Sequence, residues 1–546
     1  MPNVAPERAR SAYPYPLLIK RLLEEGVARA PEQEIVYADR KRYRYRELGE
    51  RVGRLASGLA SLGVAPGDTV AVMDWDSHRY LECFFAVPMM GAVLHTVNVR
   101  LSPEQILYTI NHAEDDVILV NGEFLPLLEK IWDRVEPGKR LVLLDDGAAP
   151  PETSLPLAAE YEALLAASDP AHTFGELDEE ARATTFYTTG TTGLPKGVYF
   201  SHRQLVLHTM ASRAALAGPG HGRFNEGDVY MPITPMFHVH AWGIPYVATV
   251  LGVKQVYPGR YVPDTLLELL HREKVTFSHC VPTILQMVLG SAGSKGVSLA
   301  GWKVIIGGAA LPQALARQAL DVGIDLYSGY GMSETCPVLT LAQLMPHMEA
   351  WPIERQVEVR TKTGRPIPLV QIRIVDDAMN DVPHDGKSAG EIVVRTPWLT
   401  QGYLKDPQAS DALWAGGWLH TGDMAVIDDD GYLKITDRLK DVIKTGGEWV
   451  SSLEIEDLIL KHPGVAEVAV IGVPDPKWTE RPAAVVVVRT GHEVDEEQLK
   501  AQLRDYAARG VISRYAVPER VIFVEALPRT SVGKLDKKLL RARYAS

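Results

Sequence analysis

The feature that most constrains this chain is a repeated switch of apolar period within its first 130 residues, from helical three- and four-residue steps to short continuous apolar runs. In "YRELGERVGRLASGLASLGV", Leu48, Val52, Leu55, Leu59 and Leu62 fall on one helical face, and Gly63 follows where a left-handed C-cap belongs. The run "TVAVMDW" comes next. "RLSPEQILYTINHA" then supplies Ser102 as N-cap, Pro103 at the first helical position and Gln105 at the capping-box position, ahead of the run "VILVN". Alternation of strands and helices lays strands side by side in parallel, with the helices as crossovers. It predicts an α/β fold of doubly wound sheets.

The rest of the chain divides into further units, as a length of 546 residues requires of any chain that must split its core. Ala148 to Leu177 is rich in loop residues and reads as a surface connection before the strand "RATTFYTT". Strand and helix pairs continue through "VTFSHCVPTILQMVLG", "WKVIIGGAALPQALARQAL" and "IDLYSGYGMSET". From Val370, "VQIRIVDD", "GEIVVRT" and "GYLKIT" read as short strands of a β-rich subdomain. After "DRLKD" a small α+β unit begins: a capping box of Ser451 and Glu454, strands "VAEVAVIGV" and "AAVVVVR", a helix from Asp495, and the strand "RVIFV". The expected division is a large N-terminal domain, 1–437, and a small C-terminal domain, 438–546.

Composition excludes several classes. No apolar run approaches the roughly eighteen residues that span a bilayer, so no transmembrane segment is expected. The opening "MPNVAPERARSAYPYPLLIKRLL" lacks the apolar core of a secretory signal and reads as mature sequence. Cys83, Cys280 and Cys336 form no CxxC pair, which argues against a disulfide framework or zinc site and fits a reducing cytoplasm. A net charge of −12 repels nucleic-acid backbones, so no nucleic-acid partner is expected and any polyanionic ligand must be held by local donors against the global field.

Such donors lie in "YTTGTTGLPKG", Tyr187 to Gly197. Glycines let successive N–H groups turn toward an anion, hydroxyls add donors, and a lysine neutralises charge. Thr188, Thr189, Gly190, Thr191, Thr192, Gly193 and Lys196 are therefore candidates for phosphate. The loop is not a Walker A motif, because Pro195 precedes Lys196 and Gly197 follows it.

This string resembles the signature loop of the adenylate-forming superfamily, which includes acyl-CoA synthetases, luciferase and the adenylation domains of peptide synthetases. Further motifs of the superfamily occur in order along nearly the whole chain. "GAVLHTVN", "RLSPEQILYTINHAED", "PMFHVHAWGIPY" and "IKTGGEWVSS" are most similar to bacterial medium- and long-chain fatty acyl-CoA synthetases. The resemblance implies a two-step reaction. A carboxylate attacks the α-phosphate of MgATP to give acyl-AMP and pyrophosphate, and the thiol of coenzyme A then displaces AMP. Both steps spread negative charge over phosphate oxygens, which positioned cations and donors stabilise.

Roles follow from the same resemblance, residue by residue. "YSGYGMSET" implies adenine stacking on Tyr330 between Gly329 and Gly331, a Ser333 hydroxyl on the α-phosphate, and Mg²⁺ held by Glu334 with Thr188. Serine stands where relatives usually carry threonine and keeps the hydroxyl. "VIIGGAALP" places Gly307, Gly308 and Ala309 beside adenine and the acyl carboxylate, and "HTGD" gives Asp423 the two ribose hydroxyls. "PMFHVHAWG" puts His238 near the carboxylate and makes Trp242 the gate of an acyl tunnel. In an extended segment His238 and His240 would share one side, so a metal pair is an alternative, although no further His or Cys stands at ligand spacing.

"DRLKDVIKTGGEWVS" implies a ribose or phosphate contact for Arg438, a pivot at Lys440, a coenzyme A channel at Gly447, and Lys444 and Trp449 facing the nucleotide in one orientation. "PRTSVGKLDKKLL" implies that Lys534 bridges carboxylate and α-phosphate during adenylation, a task suited to a compact ammonium between two anions. The expected ligands are a fatty acid, ATP, Mg²⁺ and coenzyme A, and the resemblance is compatible with a homodimer. Rival readings are the same chemistry on a short thioether acid or an aryl acid, a carrier-protein thiol as acceptor, or a non-catalytic acyl-adenylate sensor. Retention of Lys196, Lys534 and Glu334 together argues against the sensor.

Overall fold

The computed structural model describes residues 9–147, 152–188, 194–218, 220, 222–445, 448–529 and 535–544, with the backbone alone for Lys444, Glu448 and Trp449. The described strands form four sheets. A seven-stranded sheet runs Leu157–Glu160, Arg140–Leu144, Asp115–Asn121, Thr69–Met73, Val93–Thr96, Arg182–Thr188 and Lys196–Ser201, parallel except for the last strand. A nine-stranded sheet has a parallel centre, Asp325–Gly331, Lys303–Ile306, Phe277–Cys280, Val229–Ile233, Lys254–Tyr257 and Glu34–Tyr37, with antiparallel strands at both edges. A four-stranded antiparallel sheet follows, spanning Gln371–Val375 to Leu433–Arg438. The last sheet, with Val465–Asp475 and Thr479–Val488 at its centre, carries the helices Ser452–Leu460, Glu496–Ala508 and Lys537–Tyr544. The fold is α/β, with a large N-terminal domain and a small C-terminal domain of sheet and helix.

Local sequence explains much of this. The helix Tyr45–Ser61 buries Leu48, Val52, Leu55 and Leu59 completely, each contributing about 1.5–3 kcal/mol, and Gly63 follows at φ +85°. Ser102 caps Pro103–Ala113 reciprocally with Gln105. At Ser451 only half of the expected box is seen: its hydroxyl accepts from the Glu454 N–H at 3.1 Å and itself donates to the Thr436 carbonyl.

One expectation is corrected. The stretch read as a surface connection supplies the edge strand Leu157–Glu160 and the helix Tyr161–Ala166. The strand has four residues, pairs on one side only and leaves Leu157 and Ala158 exposed, so it carries no apolar alternation. Its anchor is Tyr161, whose buried hydroxyl donates to Glu82 at 2.6 Å.

The two large sheets meet along the carboxyl ends of their parallel strands, and Asp76 ties them together. Its carboxylate accepts from Met236 N–H at 2.8 Å and from Tyr261 O–H at 2.5 Å, while its carbonyl accepts from Gly259 N–H at 2.8 Å. Burial pushes the Asp76 carboxyl up to about 7. The folded chain then keeps a proton that the unfolded chain releases near pH 4, so this group's contribution to stability falls as pH rises from about 4 to about 7. Asp76→Asn removes that slope. In denaturant titrations the stability advantage of the unsubstituted chain over Asp76→Asn should shrink by about 2–3 kcal/mol between about pH 5 and pH 8. An equal difference at both pH values would mean that Asp76 ionises as it does in water.

Candidate active site

The described ends of the threonine- and glycine-rich string belong to two paired strands. Strands Arg182–Thr188 and Lys196–Ser201 pair antiparallel, with Thr188 directly opposite Lys196. Gly197 lies so close to its neighbours that a Cβ there would fall 3.0 Å from the Leu404 side chain and 3.3 Å from the Tyr187 ring. The neighbour is an extended segment, Thr400 to Leu404, that sequence reasoning did not single out. Leu404 N–H donates to the Gly197 carbonyl at 2.8 Å, and Tyr403 forms a bridge with Val198.

That segment joins the hairpin to the turn Ser333–Thr335. Thr400 N–H donates to the Glu334 carbonyl at 3.0 Å, and Tyr403 O–H donates to the Glu334 carboxylate at 2.8 Å. Lys196 Nζ stands 4.5 Å from the centroid of the same Tyr403 ring. Two residues 138 positions apart by their numbers, Lys196 and Glu334, thus meet on one tyrosine. Burial and then the Glu334 carboxylate push the Tyr403 phenol up, so it stays protonated and donating.

A second corner gathers the residues expected at adenine and ribose. Strands Lys303–Ile306 and Asp325–Gly331 pair with Ile306 opposite Ser328, which sets Gly307 beside Gly329. A Cβ on Gly307 would lie 2.9 Å from the Gly329 carbonyl, and one on Gly331 only 1.8 Å from the Pro337 carbonyl, so neither site admits a side chain. Gly308 takes φ +77°, and Gly308 and Ala309 are exposed. Tyr330 O–H donates to Asp423 at 2.7 Å, and Arg438 Nε lies 3.3 Å from the other Asp423 oxygen, opposite it in the antiparallel sheet. Burial and then Asp423 push the Tyr330 phenol up. The buried Ser328 hydroxyl has no partner among the described residues, which suits a corner built to receive a polar ligand.

The histidine segment is not extended. Val239, His240, Ala241, Trp242 and Gly243 all have φ between +46° and +73°, a left-handed turn that costs each non-glycine residue about 1–2 kcal/mol. The turn sends the two histidines apart. His238 is half-buried at its start, while His240 is fully buried against Phe84 and Phe186 with its Nε2 2.7 Å from the Thr184 hydroxyl. Burial lowers the His240 pKa to about 3, so it is a neutral packed ring, and among the described residues no third Asp, Glu, His or Cys gathers with the two histidines. Trp242 packs on Gly307, where a Cβ would fall 2.8 Å from its ring, and on His279 at 5.0 Å between centroids.

Where the chain passes to the small domain, Leu439–Asp441 is a tight turn, with Asp441 N–H donating to the Arg438 carbonyl at 2.8 Å and Lys440 exposed. The buried Asp437 carboxylate accepts from Ser452 N–H at 2.6 Å, at the first turn of the helix Ser452–Leu460. Lys537 bonds Glu456 and the Ser452 hydroxyl, each at 2.6 Å, and Arg541 pairs with Asp441. Lys534, Gly447 and the loop residues Thr189, Gly190, Thr191, Thr192 and Gly193 lie outside the described residues, as do the side chains of Lys444 and Trp449.

No three Asp, Glu, His or Cys side chains gather into a metal cage among the described residues. A single buried carboxylate, Glu334, joined through Tyr403 to the hairpin of Thr188 and Lys196, fits Mg²⁺. That ion keeps several waters and is usually held by one or two carboxylates plus the phosphates it travels with.

Comparison with known proteins agrees with this layout. The family described as AMP-binding enzyme matches residues 23–404, and the AMP-binding enzyme C-terminal domain matches residues 454–534. A long-chain-fatty-acid–CoA ligase of Thermus thermophilus is 43% identical over 505 residues, covering 92% of this chain and 90% of that protein. A 3-methylmercaptopropionyl-CoA ligase of Ruegeria pomeroyi is 40% identical, covering 97% of both. The crystal structure of ATP-bound MatB from Rhodopseudomonas palustris superposes with a TM-score of 0.82 at 26% identity, over 97% of this chain and 99% of that one. A rim shared by two parallel sheets, a threonine-rich hairpin and matches of this extent together establish that the chain belongs to the AMP-binding enzymes.

Proposed function

We propose that this acid–thiol ligase activates medium- to long-chain fatty acids with MgATP and transfers the acyl group to coenzyme A. The observation that carries the reading is the convergence, on one rim, of Lys196, Glu334 and the Tyr330–Asp423–Arg438 cluster, contributed by three different sheets and the turn after one of them. In the first step the carboxylate oxygen bonds the α-phosphorus, the bond to the β-phosphate oxygen breaks, and pyrophosphate leaves. In the second the thiol sulfur bonds the acyl carbon, its proton is released, and AMP departs.

Lys196 and the hairpin hydroxyls bind the phosphates, Tyr330 packs on the base, and Asp423 accepts from the ribose hydroxyls with two oxygens. Mg²⁺, when bound with ATP, offsets the charge that builds on the phosphate oxygens. Glu334 and Thr188 would hold it. Arg438 pairs with one Asp423 oxygen and so orients the carboxylate. Cys83, Cys280 and Cys336 are all buried and free, which suits a reducing cytoplasm.

The small domain, taken as 438–546, turns about Lys440 between the two steps and exchanges Lys534 for the Gly447 face. Support comes from the segment between the two matched regions, 404 to 454, and from the contacts there: the bonds of Ser451 and Ser452 to Thr436 and Asp437 hold one orientation and must break in another. Lys534→Ala is expected to lower acid-dependent ATP–pyrophosphate exchange by about a hundredfold or more, as loss of a transition-state charge contact does, while thioester formation from supplied acyl-AMP changes little. Equal loss of both half-reactions would refute the exchange. Lys440→Pro, which fixes φ at the turn, should spare exchange and slow the thioester step.

A short thioether acid is the second reading, favoured by the 40% identical 3-methylmercaptopropionyl-CoA ligase and by Trp242 lying closed against Gly307. Rates over straight-chain acids and 3-methylmercaptopropionate, with and without coenzyme A, separate the two. The fatty-acid reading expects kcat/KM to rise with chain length, each added methylene contributing up to about 0.8 kcal/mol. A maximum at the thioether acid that falls with every added carbon would overturn it.

A further inference from the structure

We propose that Tyr403 is a positioning residue for adenylation: its ring face holds the Lys196 ammonium and its hydroxyl orients the Glu334 carboxylate, so that one side chain sets the spacing of the phosphate-binding and metal-binding groups. The inference rests on the functional reading above.

The geometry is specific at both ends of the ring. Lys196 Nζ lies 4.5 Å from the centroid, within the range of a cation–π contact, and the phenolic O–H donates to Glu334 Oε1 at 2.8 Å. The backbone around Tyr403 is fixed as firmly as the side chain. Its N–H donates to the Ser410 hydroxyl at 2.8 Å, its neighbour Leu404 is bonded to Gly197, and Thr400 is bonded to Glu334 on one side and to the Tyr199 carbonyl at 3.0 Å on the other. A Cβ on Gly402 would fall 2.5 Å from the Ser410 hydroxyl, so a larger residue before the tyrosine would displace the serine that accepts from the Tyr403 N–H. Tyr403 is thus clamped to the hairpin and to the Ser333–Thr335 turn at once, two elements that otherwise belong to different sheets.

A tyrosine suits this place for a reason of charge. A lysine and a glutamate brought together in a half-buried site attract each other strongly, and a direct pair would neutralise both and compete with phosphate and metal. The ring face attracts the ammonium weakly, without supplying a counter-charge. The hydroxyl binds one carboxylate oxygen as a neutral donor and so favours metal binding through the other.

Tyr403→Phe removes the hydroxyl and keeps the face; Tyr403→Leu removes both. Two readouts on the purified full chain test the assignment. One is acid-dependent ATP–pyrophosphate exchange as a function of Mg²⁺. The other is calorimetric titration with a non-hydrolysable ATP analogue at several Mg²⁺ concentrations. Tyr403→Phe is expected to raise the Mg²⁺ needed for half-maximal exchange and for tight analogue binding by about three- to tenfold, the net loss typical of one hydrogen bond. Metal-free analogue binding should stay within about twofold, as should thioester formation from supplied acyl-AMP. Tyr403→Leu should also weaken metal-free analogue binding, through Lys196. Half-saturation by Mg²⁺ is a ratio that a changed folded fraction does not move. An unchanged Mg²⁺ dependence in Tyr403→Phe, alongside normal exchange by the unsubstituted chain, overturns this inference alone. If the unsubstituted chain catalyses no exchange with any acid, the functional reading fails and takes this inference with it.

Discussion

The structure depends on one crossing: the segment Met236–Gly243 leaves the nine-stranded sheet and docks on the carboxyl ends of the seven-stranded one. Asp76 accepts from its first N–H, the Thr96 hydroxyl donates to the Phe237 carbonyl at 2.9 Å, and His240 meets Thr184. To make these contacts the chain turns left-handed through four non-glycine residues, which costs roughly 4–8 kcal/mol in backbone strain. Complete or near-complete burial of Val239, His240, Ala241 and Trp242 offsets it, since each large apolar side chain contributes about 1.5–3 kcal/mol. Open α/β sheets bind ligands outside the carboxyl ends of their strands. Joining two such ends on one rim doubles the set of loops that can reach one ligand.

The rim is then furnished from separate sheets with groups of opposite demand. Cationic Lys196 and carboxylates Glu334 and Asp423 must coexist without cancelling each other. The fold manages this by pairing each through a third group: Tyr403 between Lys196 and Glu334, and Tyr330 with Arg438 about Asp423. Both tyrosines are half-buried phenols beside carboxylates, held protonated, and act as neutral donors where a cation would compete with the substrate. A chain of net charge −12 can in this way gather a cation and neutral donors on one rim without a basic surface.

Much of the fold was legible in sequence because its elements obey local rules. The face of Tyr45–Ser61, the cap at Ser102 and the buried strand running into Gly307 and Gly308 follow from period, capping chemistry and the need for close backbone approach. What was hidden lacked a local signature. The strand Leu157–Glu160 is held by one neighbour and by Tyr161 beyond it, and Tyr403 sits in "QGYLKD", whose only hint is a glycine before an aromatic residue. Its partners are more than 60 positions away, and only the tertiary path brings them together. The histidine pair shows what spacing alone leaves open: i, i+2 implies a shared side only if the backbone is extended, and here the chain makes a left-handed turn.

The central claim is that a carboxylate oxygen attacks the α-phosphate of ATP at this rim. Supplying a fatty acid labelled with ¹⁸O in its carboxylate, together with ATP, Mg²⁺ and coenzyme A, tests it by mass spectrometry of the nucleotide product. The account expects AMP carrying one ¹⁸O atom in its phosphoryl group. Unlabelled AMP, or ADP with the label in inorganic phosphate, would contradict it.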